Sequence, residues 1–319
     1  MGLGSAIGAG LFLGVGVGIQ IAGTSILIAY LVAGVLVTLI MYMLGEMASA
    51  RPSLGSFSTY AGQAFGNWAR FTMGWLYWFM LIMVMGAEIT GAAAILGGWF
   101  GVDPWIPALV AVVFFAVVNF GAVRGFGEFE FWFAIIKVAV IVAFLVLGAW
   151  LIFGPAETQT SSFVENFAPN GVPGLAAGLL AVAFAFGGIE LVTIAAAESE
   201  DPSHNVATAV RAIIFRIIVF YLGAVAVITL LLPFSRIQDA DVAAQSPFTE
   251  VLRVAEIPYA ATFMELVIVV ALLSAFNAQI YATSRLVFDM ARDGNAPGVF
   301  KYTSKTGSPL YAVILSMFF

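Results

Sequence analysis

Apolar runs of about 18 to 25 residues recur along the entire chain, and a helix of about 20 apolar residues is what crosses the hydrocarbon core of a bilayer. Between charged or Pro/Gly-rich breaks the runs fall near 3–21, 24–47, 71–98, 105–122, 131–153, 174–197, 207–232 and 257–288, and a ninth begins near Pro309. The expectation is an all-α integral membrane protein with eight complete transmembrane helices, truncated about ten residues into its ninth. Composition agrees. Of 319 residues 62% are hydrophobic and 9% charged, against roughly 25% charged in a soluble domain. The lipid bilayer is therefore the expected surrounding, and no nucleic-acid partner is expected. Met1 is followed by Gly2-Leu3-Gly4 with no basic segment, so the first run reads as a span and not as a cleaved signal.

Lys and Arg set the sidedness. With the N-terminus in the cytoplasm, the inside loops and flanks carry Arg51, Arg70, Arg124, Lys137, Arg211, Arg216, Arg285, Arg292, Lys301 and Lys305, leaving Arg236 and Arg253 outside. That asymmetry predicts a multi-pass protein of the cytoplasmic (inner) membrane. Trp68, Trp75, Trp78, Trp99, Trp105, Trp132 and Trp150 lie mostly near span ends, as interfacial anchors do. Gly10, Gly14 and Gly18 have the spacing that lets helices approach closely.

Candidate chemistry begins in the first span. Gly4-Ser5-Ala6-Ile7-Gly8-Ala9-Gly10 weakens a helix by roughly 1 kcal/mol per glycine relative to Ala. The sixth span has a matching weak point at Phe184-Ala185-Phe186-Gly187-Gly188-Ile189-Glu190. Broken backbone at membrane depth must be buried or line a cavity, and paired breaks in corresponding helices point to a transporter binding site. Free N–H groups around Gly8, Ala9 and Gly10 would favour a carboxylate. Unpaired carbonyls near Ala6, Phe184 and Gly187 would accept from an ammonium, so the ligand would be a zwitterionic amino acid. Close packing alone is the competing role for these glycines. A nucleotide-phosphate site is excluded, because Gly2 and Gly4 do not continue as G-x-G-x-x-G and no strand precedes them.

Ionisable residues inside spans are functional candidates by default. Glu88 falls mid-span in the third helix, Glu190 after the break in the sixth, Lys137 toward the cytoplasmic end of the fifth and Glu265 in the eighth. A lysine desolvated in a bundle can lose and regain a proton during a cycle, so Lys137 is the principal proton-coupling candidate, with snorkelling to the headgroups as its alternative. Glu190 is a second, by pairing with a basic residue or by holding the end of the broken helix. Phe184 and Phe186 are expected to wall the substrate and Glu88 to approach it. His204, beside the acidic run Glu198-Ser199-Glu200-Asp201, reads as solvated, and neither a metal nor a cofactor is expected. Absence of Cys, one loop His and no H-E-x-x-H argue against an enzyme.

The same residues carry a family resemblance. Gly4-Ser5-Ala6-Ile7-Gly8-Ala9-Gly10-Leu11-Phe12 resembles the first-helix signature of the amino acid-polyamine-organocation superfamily. Met43-Leu44-Gly45-Glu46-Met47 with Pro52 and Gly55-Ser56-Phe57-Ser58-Thr59-Tyr60-Ala61 resembles the end of its second helix and the loop after it. Gly127-Glu128-Phe129-Glu130-Phe131-Trp132, Lys137, Ala196-Ala197-Glu198-Ser199, Ser284-Arg285 and Ala296-Pro297 resemble the bacterial amino-acid transporter branch. Within it, Thr193 to Ser199 and Gly74-Trp75-Leu76-Tyr77-Trp78 look most like the γ-aminobutyrate permeases.

The resemblance implies a LeuT-like fold of two inverted five-helix repeats. Residues 1–319 would form one permease domain, 1–153 its first repeat and 174–319 an incomplete second one. It implies that Gly8, Ala9 and Gly10 bind the substrate carboxylate and that Ala6, Phe184 and Gly187 offer carbonyls to its amino group; Ile7 and Phe186 complete the expected substrate-binding residues. It also implies that Lys137 stands where other members hold a sodium ion, hence proton symport with an amino acid. An amino-acid exchanger on the same fold is the alternative.

Overall fold

The structure, a computed structural model, describes residues 7–53, 55–121, 126–154, 158–188, 190–191, 217–238, 245–304 and 307–318, with backbone only for 121, 126–130, 217 and 218. Every regular element among them is helical. The first span comprises α1 (Ala9–Phe12) and α2 (Gly14–Ala22). The second is α3 (Ile26–Ala50). Gly23 turns the chain between them at φ 65°, where a side chain would strike the Asn166 carbonyl and the Pro169 ring. A short α4 (Phe57–Phe65) leads into α5 (Asn67–Phe100), α6 (Trp105–Gly121) and α7 (Phe126–Phe153). Next come α8 (Thr160–Glu165) and α9 (Gly171–Ala185), then a π turn over Ile217–Leu222 that continues into α10 (Gly223–Leu231). The chain closes with α11 (Phe234–Gln238), α12 (Pro247–Val254), α13 (Ala260–Arg292) and α14 (Leu310–Phe318).

These helices fall on the apolar runs. Ala9–Ala50, Asn67–Phe100, Phe131–Phe153 and Ala260–Arg292 are long and apolar enough to cross a membrane, with shorter apolar helices at Trp105–Phe120, Gly171–Ala185 and Val219–Leu231. The end of the expected sixth span and the start of the seventh lie outside the described residues. Outward faces are apolar, with Leu31, Val35 and Leu39 on α3, Phe79 and Met83 on α5, and Val110 and Val117 on α6 all exposed. Only lipid makes such a surface stable, since contiguous apolar patches of this extent are rare on soluble monomers.

Inside, α13 packs along α5, α9 lies against α2 and α3, and α7 touches α10 and α13. Polar clamps hold the α5–α13 pair at both ends. Near the start of α5, Arg70 pairs with Asp289 at 3.3 Å and with Asp293, and Asn295 donates to Asn67 at 3.0 Å. At the far end Trp99 donates to Glu265 at 3.0 Å, and Arg253 reaches the other Glu265 oxygen at 2.7 Å. Glu265 is thus a satisfied structural group.

Candidate functional site

The two segments expected to be interrupted meet. α9 packs on α1 and α2, and a Cβ at Gly10 would fall 2.5 Å from the Ala185 Cα, so a side chain at Gly10 would drive the backbones apart. Helix one starts at Gly8, whose carbonyl accepts from both Leu11 and Phe12 at 3.1 Å. The Ala9 N–H, one of the donors that a helix start leaves without an internal partner, donates to Glu88 Oε2 at 2.9 Å. Glu88 is 3% exposed. A Cβ on Gly8 would lie 2.8 Å from its carboxyl carbon, so the glycine makes room for the acid. The expectation of open donors at Gly8, Ala9 and Gly10 is corrected at Ala9: a carboxylate of the protein itself occupies that donor.

Helix six breaks after Ala185. Phe186 N–H is shared between the Val182 and Ala183 carbonyls, Gly187 donates to Phe184 at 3.0 Å, and Gly188 takes φ 95°. Glu190 closes the break from below: its Oε2 accepts from Gly188 N–H at 3.1 Å and its Oε1 from the Tyr77 hydroxyl at 3.0 Å. Of the roles expected for Glu190, these two contacts draw that of holding the helix end. Phe184 departs from expectation. Its carbonyl is taken by Gly187, and its ring is 37% exposed on the outer face of α9. Phe186, two residues on and roughly 200° around the helix, is 3% exposed and packs edge-on to Tyr30 and tilted against Tyr221.

Lys137, on α7, is 1% exposed and donates to the Ser274 hydroxyl of α13 at 3.0 Å. Its ammonium does not snorkel. It lies within electrostatic reach of Glu88, which brings together two of the ionisable residues singled out in the sequence. Ile7, Gly8, Ala9 and Gly10 are all buried beside them. Ala6 lies outside the described residues, as do His204 and the acidic run before it.

Three participants were not singled out in the sequence. Tyr221 donates to the Ala185 carbonyl at 3.1 Å, using the backbone acceptor that the break releases. Tyr30 is buried with a hydroxyl that has no partner among the described residues. Above α1, α12 closes one side of the site. Ser246 donates to the Phe12 carbonyl at 2.6 Å and caps α12, while Phe248 lies between the Phe12 and Phe144 rings with centroids at 5.1 and 4.7 Å. The Ser-Pro before α12 is an N-cap signature that marks this helix in the sequence.

The family model described as amino acid permease matches residues 1–319. The chain is 67% identical to the aromatic amino acid transport protein AroP of Corynebacterium glutamicum, over 100% of this chain and 70% of that protein. It is 43% identical to a probable GABA permease of Pseudomonas aeruginosa, over 99% and 68%, and 41% to the γ-aminobutyric acid permease of Bacillus subtilis, over 98% and 67%. Among solved structures it is similar to the inward-facing conformation of Mhp1, with a TM-score of 0.50 at 14% identity, covering 99% of this chain and 68% of that one. That likeness supports the LeuT-like fold, and the relatives are transport proteins, not enzymes.

Proposed function

Because the chain belongs to the amino acid permease family and is a multi-pass membrane protein, we propose that it imports aromatic amino acids across the cytoplasmic membrane by proton symport, with its N-terminus in the cytoplasm. The observation that carries this reading is the Glu88 carboxylate seated on the Ala9 N–H. A helix start is an anion site, and Glu88 holds it as a substrate carboxylate would. One donor cannot serve two carboxylates equally well.

Proton and substrate are linked through that competition. A proton taken up by Glu88 removes its charge and weakens its hold, since hydrogen bonds to charged acceptors are about twice as strong as those between neutral groups. The substrate carboxylate then takes the Ala9 N–H, and backbone carbonyls at the helix-six break, each with a second lone pair, accept its ammonium. Lys137, held by Ser274, supplies the positive field that Glu88 or the substrate carboxylate answers, and is the second proton-handling group. Glu190 positions the broken helix through Gly188 and Tyr77. An aromatic side chain suits the ring cluster of Phe186, Tyr30 and Tyr221, and it is the substrate class in the name of the 67% identical relative.

Calorimetric titration of the purified full-length protein with L-phenylalanine, phenethylamine and hydrocinnamate tests the two-ended site. Binding should require both the carboxylate and the amine. Phenethylamine binding as tightly as phenylalanine would refute a carboxylate subsite at Ala9.

A further inference from the structure

A cavity of about 440 Å³ lies between α3, α5 and the far side of the helix-six break. Ile40, Leu76 and Met80 form its mouth, and all three are exposed on the outward faces of α3 and α5. Those faces belong to the membrane-spanning belt that also carries Leu39, Phe79 and Met83. The opening therefore gives onto hydrocarbon and not onto water. Its inner wall is Ala183 at the end of α9 with Phe186, Gly187 and Glu190 of the segment after it.

The lining indicates what enters. Among the described lining residues every side chain apart from Tyr77 and Glu190 is apolar, and these two bond to each other, with the remaining Glu190 oxygen on Gly188 N–H. Apolar cavities of even ~150 Å³ stay dry and accept apolar guests, and protein interiors do not keep large voids where matter can fill them. Met41, Met73 and Met80 supply flexible, polarizable walls that adapt to an irregular guest.

We propose that this crevice is a lipid site in which the acyl chain of a membrane phospholipid inserts between α3 and α5 and rests against the break in helix six. The chain is continuous with the bilayer outside, and its tip contacts Phe186, whose opposite side faces Tyr30 and Tyr221. The crevice shares Phe186, Gly187 and Glu190 with the helix-six break of the proposed substrate site but lies on the side of Phe186 away from Tyr30 and Tyr221, and its existence does not depend on the transport reading.

The test is photolabelling of the full-length protein in phosphatidylethanolamine/phosphatidylglycerol vesicles doped with a phospholipid bearing a diazirine near the end of one acyl chain, followed by peptide mapping. Labelling should concentrate on residues 37–41 and 73–80, fall several-fold in Met80→Trp, which fills the mouth, and rise in Ile40→Ala, which widens it. Monodispersity in detergent verifies that each variant is folded. Label spread evenly over the outward faces of α3, α5 and α6 and indifferent to both substitutions would overturn the proposal. Protection by excess free L-phenylalanine would also overturn it, by making the crevice a substrate compartment.

Discussion

Replacing Glu88 by Gln keeps the shape of the side chain and removes the charge that holds the Ala9 N–H at 2.9 Å. A hydrogen bond to a charged acceptor contributes roughly 1.5–3 kcal/mol and a neutral one about 0.5–1.5 kcal/mol, so the internal competitor is weakened by about 1.4 kcal/mol. That difference corresponds to about tenfold in an equilibrium constant. In the wild type, acidification neutralises Glu88 and frees the donor, so affinity for L-phenylalanine should rise as pH falls. In Glu88→Gln it should sit at the low-pH level throughout, about tenfold tighter than wild type at alkaline pH. Equilibrium binding of radiolabelled phenylalanine to purified protein across a pH series reads both effects. A variant that binds more weakly at every pH and keeps the wild-type slope would refute the competition.

Lys137→Ala should abolish the pH dependence of uptake while binding survives; equal loss of both, with a lowered melting temperature, would mean that the Ser274 contact serves only folding. Gly8→Leu should eliminate phenylalanine binding, because a side chain there overlaps the Glu88 carboxyl group, and unchanged affinity would exclude this end of helix one from the site. Phe248→Ala removes a ring packed between Phe12 and Phe144 and should cost roughly 3–5 kcal/mol, seen as a fall in thermal stability; a fall well under 1 kcal/mol would mean that α12 is not a packed closure.

Spans, breaks and ionisable candidates were legible because each has a one-dimensional signal. A 25-residue apolar run such as α3, the glycines at 8, 10, 187 and 188, and single charges such as Lys137 and Glu88 stand out in an uncharged background. Partners were not legible. Glu88 and Ala9 are 79 residues apart, and only the packing of α5 against α1 shows that the acid fills the donor that the glycines expose. Helix phase was the second gap. A helix that is apolar all round gives no periodicity to mark its inner face, so Phe184 and Phe186 looked equivalent although one faces outward and the other the site. Tyr30, Tyr221 and Ser274 were hidden for a related reason: a hydroxyl in an apolar run reads as packing until its acceptor or donor is known.

The most direct test of the central claim is uptake by the full-length protein in proteoliposomes, with labelled L-phenylalanine, L-tyrosine, L-tryptophan and γ-aminobutyrate compared with and without an inward proton gradient. The account predicts concentrative uptake of the three aromatic amino acids, abolished when a protonophore collapses the gradient, and little uptake of γ-aminobutyrate. Accumulation of γ-aminobutyrate in preference to the aromatic substrates, or aromatic uptake indifferent to the protonophore, would contradict it.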